Sequence, residues 1–324
     1  MDRFTPMIEG KQSVNSLEKV MLDQVEQWVL LRGENINNPV ILFLHGGPGN
    51  AQIGWAPEYQ TSLEKDFIVV NWDQRGAGLS YNDSLSEESM NIENFVHDAH
   101  ELTRYLIYRF KKDKIFVVGH SWGSIIGMLL AQKYPDLIYA YVGVGQSVHL
   151  QRGELLSYNF TVDFAKRNEL QKATSELKAI GHPPYKTLND LFIQRKWLTE
   201  FGGVVYKDTD FFKRTVHIIQ KRSEYKETDI DKLNEGNTFS MRVMWDEVMT
   251  VNLLDQIKDV NCPVYFLLGE FDFNTPNLLV QEFYSSLTAP IKETIFFSGV
   301  AHNLPFEEPG LFHKTMYDIS LNYT

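Results

Sequence analysis

An α/β fold, with a mostly parallel sheet covered by helices on both faces and broken by a helical insertion, is what this 324-residue chain predicts. Three observations carry that expectation. Short apolar runs rich in β-branched residues alternate with segments of helical spacing over the first 145 residues. Several of these runs lead into polar loops that carry glycine. A long polar stretch of helical pattern then interrupts the alternation, which resumes toward the C-terminus.

Residues 17–22 and 25–32 read as the two strands of a hairpin, joined near Asp23-Gln24 and followed by a polar turn at 33–39. Residues 40–44 form a wholly apolar strand running into "HGGPG", and residues 67–72 another running into "DQRGAGLS". Phe95, Ala99, Leu102, Leu106 and Phe110 recur at helical spacing within 92–110. The run 115–118 is a buried strand, 124–133 a helix stopped by Tyr134-Pro135, and 140–144 the next strand. From Gln146 to about Lys258 the pattern is helical, with "GHPPY" and "FGGVVY" as turns; structureless connections beyond about 15 residues are uncommon, so this segment is expected to be an insertion. Strands at 263–268 and 293–297 and helices near 276–287 and 307–321 complete the core. The expected division is therefore a core of residues 1–145 and 259–324 with a helical cap of 146–258.

Composition narrows the function. The 43% apolar and 23% charged fractions are those of a soluble globular protein, and the formal charge of −11 argues against nucleic acid and gives no reason to expect docking on anionic lipid. The single cysteine, Cys262, excludes a disulfide framework and a thiolate metal cluster. No apolar run approaches membrane-spanning length, and "MDRFTPMIEGKQSVNS" lacks the marks of a signal peptide, so cytoplasmic residence is expected.

Between the strand at 115–118 and the helix at 124–133 lies Gly119-His120-Ser121-Trp122-Gly123, which fits the G-x-S-x-G pattern of a nucleophile elbow. The plain alternative is an ordinary βα loop. A serine hydroxyl is a weak nucleophile at neutral pH and needs an adjacent base, itself oriented by a third group. On such a sheet the partners follow as serine, acid, histidine, each in a loop at the carboxyl end of a strand. His149, His182 and His217 fall in the insertion and His313 inside the last helix; His302, in "FFSGVAHNLPFEEP", follows a strand and precedes a helix. For the acid, "YFLLGEFDFNTP" offers Asp272, favoured because it lies deeper in the loop, with Glu270 as the alternative.

Charge developing on a tetrahedral intermediate needs backbone N–H donors in a loop that a substrate oxygen can approach. "HGGPG", just after a buried strand, offers Gly47, and the residue after the nucleophile offers Trp122. His45 is expected to brace that loop. His97 and His100 in "HDAH" lack an apparent third metal ligand, and "RGAGLS" fits no dinucleotide fingerprint. Trp55, Tyr59 and Phe273 are candidates for the pocket wall.

Together, "HGGPG", "DQRGAGLS" (73–80), "GHSWGS" (119–124) and the placement of Asp272 and His302 resemble the α/β-hydrolase superfamily and, within it, the proline iminopeptidase family. The resemblance spans about two thirds of the chain. It implies a serine hydrolase with a helical cap that releases an N-terminal residue, often proline, from short peptides, with Ser121 as nucleophile, Asp272 and His302 as its partners, and Gly47 and Trp122 as oxyanion donors. No metal or cofactor is implied. Relatives bind the substrate ammonium with cap glutamates, one in a "W..WE" segment; here the nearest matches are "KWLTEFGG", with Trp197 and Glu200, and "VMWDEV", with Trp245, Asp246 and Glu247. Glu200 is the substrate-binding candidate. A carboxylesterase or amidase for small apolar acyl groups would use the same triad without the ammonium site, and a non-catalytic binding protein would need no triad. Epoxide hydrolases and haloalkane dehalogenases require an aspartate at the position of Ser121.

Overall fold

The computed structural model describes residues 3–323. Eight strands form one sheet in the order β1-β2-β4-β3-β5-β6-β7-β8. β1 (Val14–Leu22) and β2 (Val25–Gly33) pair antiparallel. Their two-residue turn, Asp23-Gln24, has φ of 42° and 64°, the positive values that a tight hairpin demands. β2 is also antiparallel to β4, and from there the sheet is parallel.

β3 (Val40–Leu44) leads into the short α1 (Pro57–Gln60), then β4 (Ile68–Asp73), α2 (Ile92–Phe110), β5 (Ile115–His120), α3 (Trp122–Lys133) and β6 (Ile138–Val144). Every residue of β3, β4 and β5 is buried, as strands covered on both faces must be. Their period-2 alternation makes two cores. Val40, Leu42 and Leu44 pack with side chains of α2 and α3, whereas Ile41 and Phe43 point to the opposite layer.

Helices α4 (Leu150–Arg167), α5 (Gln171–Ile180), α6 (Leu188–Glu200), α7 (Phe211–Lys221) and α8 (Asp229–Val248) lie between β6 and β7 and are the helical insertion. The short α9 (Leu253–Gln256) returns the chain to β7 (Val264–Gly269), followed by α10 (Asn277–Ser286), β8 (Lys292–Phe297), α11 (Leu304–Glu307) and α12 (Pro309–Ser320). Phe312, Met316 and Ile319 of α12 fill the layer under Ile41 and Phe43.

The segment before α8 is tied to the core by buried polar contacts. The Thr5 hydroxyl donates to Glu224 at 2.9 Å, and Arg3 clasps Asp229 at 2.5 and 3.1 Å. The Tyr225 hydroxyl donates to Asp73 at the end of β4, whose carboxylate also accepts the N–H groups of Ile53 (3.2 Å) and Leu79 (3.0 Å). Burial pushes Asp73 up to about 6, against the pull of these donors.

Candidate active site

β5 ends at His120 and α3 begins at Trp122, so Ser121 is the one residue between strand and helix. It sits at φ 55°, ψ −119°, a conformation non-glycine residues rarely adopt. Two backbone bonds hold it there: its N–H donates to the Val144 carbonyl at 3.0 Å, and its carbonyl accepts from Ser124 N–H at 2.9 Å. The flanking glycines are needed for close approach. A Cβ on Gly123 would run into the Leu44 carbonyl, and one on Gly119 would lie 2.6 Å from the Gly123 carbonyl oxygen.

β7 and β8 are parallel neighbours, so the loops after them emerge side by side. One brings Asp272 and the other His302, both buried, with His302 Nδ1 2.9 Å from Asp272 Oδ2. The Asp272 carboxylate is fixed by its own loop: Oδ1 accepts the N–H groups of Asn274 (2.9 Å) and Thr275 (2.8 Å), and Oδ2 accepts the Thr275 hydroxyl (2.8 Å). Glu270 turns the other way, accepting from the Ser298 hydroxyl (2.7 Å) and Gly299 N–H (2.9 Å), bonds that lower its carboxyl below the ordinary range. Asp272, not Glu270, meets the histidine. His302 is also held from behind, because His120 Nε2–H donates to its carbonyl at 3.0 Å; burial drives His120 down to about 3 and keeps that ring neutral. His313 lies elsewhere, on Asp66.

The glycine loop after β3 is braced as its sequence suggests. His45 Nδ1–H donates to Gly46 O at 2.8 Å, and Nε2 accepts Gln74 N–H at 3.1 Å; burial lowers this ring to about 4. The Gln74 side chain binds the His45 carbonyl at 3.1 Å and accepts Trp122 Nε1–H at 3.0 Å, linking the glycine loop, the "DQRG" loop and the elbow. The one local signal for Gln74 in the sequence is its place directly after the buried strand β4. α8 presses on the same loops: Asn237 donates to Pro48 O at 3.3 Å and to Asn50 at 2.6 Å, and Ser240 to Gly76 O at 2.9 Å. Gly47 and Trp122 line one cavity with Ser121 and His302. Trp122 opens α3, so its N–H belongs to the first turn, which has no intrahelical acceptor.

That cavity has a volume of about 600 Å³ and is lined in part by helices of the insertion. Phe211, Phe212, Val216 and Ile219 of α7 and Ile230, Leu233 and Met241 of α8 make an apolar wall. Glu154 of α4 and Arg195 of α6 are the Asp, Glu, Lys or Arg side chains on its lining. Arg195 pairs with Glu154 Oε1, whereas Glu154 Oε2, in a residue only 4% exposed, has no hydrogen-bond partner among the described residues. The nearby Tyr185 hydroxyl is buried in the same unpartnered condition, and Glu154 helps to raise its pKa beyond what burial does.

The cap residues singled out from sequence lie elsewhere. Glu200 is exposed at the end of α6 and is not on the cavity lining, although Thr199 beside it is. Trp197 is buried within the cap, donating to Glu176 at 2.9 Å. Asp246 is exposed, and Glu247 accepts Ile92 N–H at 3.0 Å at the start of α2. Trp245 and Trp55 line the cavity; Tyr59 packs against Phe211 and Phe306, and Phe273 stacks on Phe160 at 3.7 Å. His97 lies near Asp23 and Asp98, but Asp98 is already engaged by Arg75 and Gln27.

With this geometry, comparison with known proteins is specific. The family model described as serine aminopeptidase, S33, matches residues 35–309. The chain belongs to this family. The probable aminopeptidase YbaC of Bacillus subtilis (strain 168) is 33% identical over 312 residues, covering 96% of this chain and 98% of the relative. The proline iminopeptidase of Heyndrickxia coagulans is 24% identical over 284 residues, 85% of this chain and 88% of that one. Among solved structures, proline iminopeptidase from Mycobacterium smegmatis superposes with a TM-score of 0.68 at 16% identity, over 95% of this chain and 98% of the other, which bears out the α/β-hydrolase fold. The S33 chain described above has no helix, among the described residues, long and apolar enough to cross a membrane.

Proposed function

We propose that the protein is a serine aminopeptidase that releases the N-terminal residue of short peptides, with residues 146–258 as the cap over the site. Ser121 Oγ attacks the scissile carbonyl while His302 Nε2 takes its proton, and Asp272, on Nδ1, holds the ring and steadies its positive charge. The N–H groups of Gly47 and Trp122 receive the oxyanion. As the C–N bond breaks, His302 returns the proton to the leaving amine, leaving Ser121 acylated. Water, deprotonated by the same nitrogen, then hydrolyses the ester.

The observation that carries the peptidase reading is Glu154, a buried cap carboxylate on the cavity lining with one oxygen unpartnered. A free acceptor of that kind suits the α-ammonium of a peptide, because a buried carboxylate oxygen left without a donor is costly even when its twin is paired with Arg195. Glu154 takes the place that the sequence pattern suggested for Glu200. The test is a pair of chromogenic amides, aminoacyl and N-acetyl-aminoacyl, with proline, leucine and phenylalanine as the residue. Glu154→Gln keeps an acceptor for Arg195 but removes the charge; the preference for the free amine is expected to fall roughly 10- to 150-fold in kcat/KM, the worth of a hydrogen bond to a charged group. Equal turnover of blocked and free substrates by the unmodified enzyme would remove the reading. The alternative, an esterase or amidase for apolar acyl groups, draws on the α7 and α8 wall, and rapid cleavage of p-nitrophenyl butyrate without turnover of any aminoacyl amide would favour it.

A further inference from the structure

The nitrogen of His302 that has to accept the Ser121 proton is occupied. The Asn274 carboxamide nitrogen lies 3.1 Å from His302 Nε2 and, among the described residues, is the side-chain group hydrogen-bonded to it. Its orientation follows from the other edge of the ring. Nδ1 faces the Asp272 carboxylate at 2.9 Å, an acceptor, so Nδ1 carries the proton and Nε2 presents a lone pair. Only the NH₂ end of a carboxamide can meet that lone pair.

Asn274 is well fixed for this. Its backbone N–H is bound to Asp272 Oδ1 at 2.9 Å, so the loop that sets the acid also sets the amide. Its side chain lines the cavity beside Ser121, within reach of anything that fills the space.

We propose that Asn274 is a substrate-responsive positioning residue: in the free enzyme its carboxamide caps His302 Nε2 in competition with the Ser121 hydroxyl, and it lets go when a peptide group enters the cavity. A carboxamide carries one donor end and one acceptor end, the complement of a peptide group's C=O and N–H. A peptide therefore replaces the bond to His302 Nε2 through its C=O and adds a second to the carboxamide oxygen through its N–H, whereas an ester, which has no N–H, offers only the first. Ser121 gains its base on the loaded enzyme, and amide substrates are favoured over esters of the same acyl group. This inference rests on the roles proposed above for Ser121 and His302.

The test is the second-order rate at which a small alkyl fluorophosphonate, a probe with no peptide group to recruit Asn274, labels Ser121. Asn274→Leu keeps the branched side chain and removes the donor; Asn274→Ala removes both. Breaking a neutral hydrogen bond is worth roughly a 2- to 12-fold change in an equilibrium, so labelling of both variants is expected to accelerate by about that factor. The ratio of kcat/KM for an aminoacyl amide to that for the matching aminoacyl ester is expected to fall in the same variants. A merely structural residue gives no gain in labelling when it is lost. Labelling of Asn274→Leu that is equal to or slower than that of the unmodified enzyme overturns the proposal. If neither protein labels, the serine-hydrolase reading fails and the proposal falls with it; if only the variant labels, the proposal stands.

Discussion

Asp73 and Asp272 are both buried carboxylates at the carboxyl ends of strands of one sheet, and both are gripped by two backbone N–H groups of the loop that follows or faces them. They differ in the last partner. Asp73 receives the Tyr225 hydroxyl, which seals it inside the protein, whereas Asp272 receives an imidazole whose far edge opens on the cavity. The same local grip thus serves cohesion at one strand end and, in the proposed mechanism, chemistry at the other. What decides between them is whether the neighbour can carry a proton to the solvent side.

Exchanging each acid for its amide is the sharpest way to break that comparison. Asp272→Asn is expected to lower kcat/KM by about 10⁴-fold, because the amide no longer holds the ring in the useful tautomer, with little change in the denaturation midpoint. Asp73→Asn is expected to cost less than about tenfold in turnover and to act on stability instead. A loss of activity in Asp73→Asn comparable to that in Asp272→Asn would erase the distinction.

The second expected effect is in pH. Asp73 is raised by burial from 3.8 to about 6, so between those values the folded protein keeps a proton that the unfolded chain has released. Stability contributed by this group is therefore lost as pH rises, by about 2 kcal/mol between pH 4.5 and pH 7. His45 and His120, held neutral by burial at about 4 and about 3, act in the opposite sense, since the unfolded chain binds the extra protons as pH falls. Urea denaturation of Asp73→Asn beside the unmodified protein at both pH values separates the two. The difference between the proteins is expected to narrow at pH 4.5 and widen at pH 7, in favour of the variant. The smallest effect is expected from Tyr225→Phe, which leaves the same carboxylate short of a donor at a cost of roughly 1–2 kcal/mol in denaturation free energy, with turnover nearly unchanged.

The sheet was legible in the chain because buried strands must be apolar on both faces: residues 40–44 coincide with β3, and the helix expected at 92–110 coincides with α2. The proposed trio of Ser121, Asp272 and His302 could be picked out because each is a polar side chain just past such a strand. Glu154 could not. In "LQRGELLSYNF" it has the look of any acid on a solvated helix, and only the packing of α4 against α6 turns it toward the cavity. Glu200 sits one residue past Thr199, which does face the cavity; on a helix that single step, 100° of rotation, sends it to the surface. Tyr225 and Asn274 acquire their partners only when distant loops meet, which no local pattern records.

Helix α8 supplies Met241, Trp245 and Val248 to the cavity wall, and through Asn237 and Ser240 it is bolted to the loops beside Gly47 and Gln74. A Cβ on Gly49 would lie 2.8 Å from the Asn237 Cα, so the contact has no slack. Diet and speed are therefore inherited together along this helix: a lineage, or an engineer, that reshapes its inner face to admit a new guest also disturbs the loops proposed to cradle the oxyanion. Phe212 and Val216 on α7, about half exposed at the rim, are where taste can drift with the least penalty in rate.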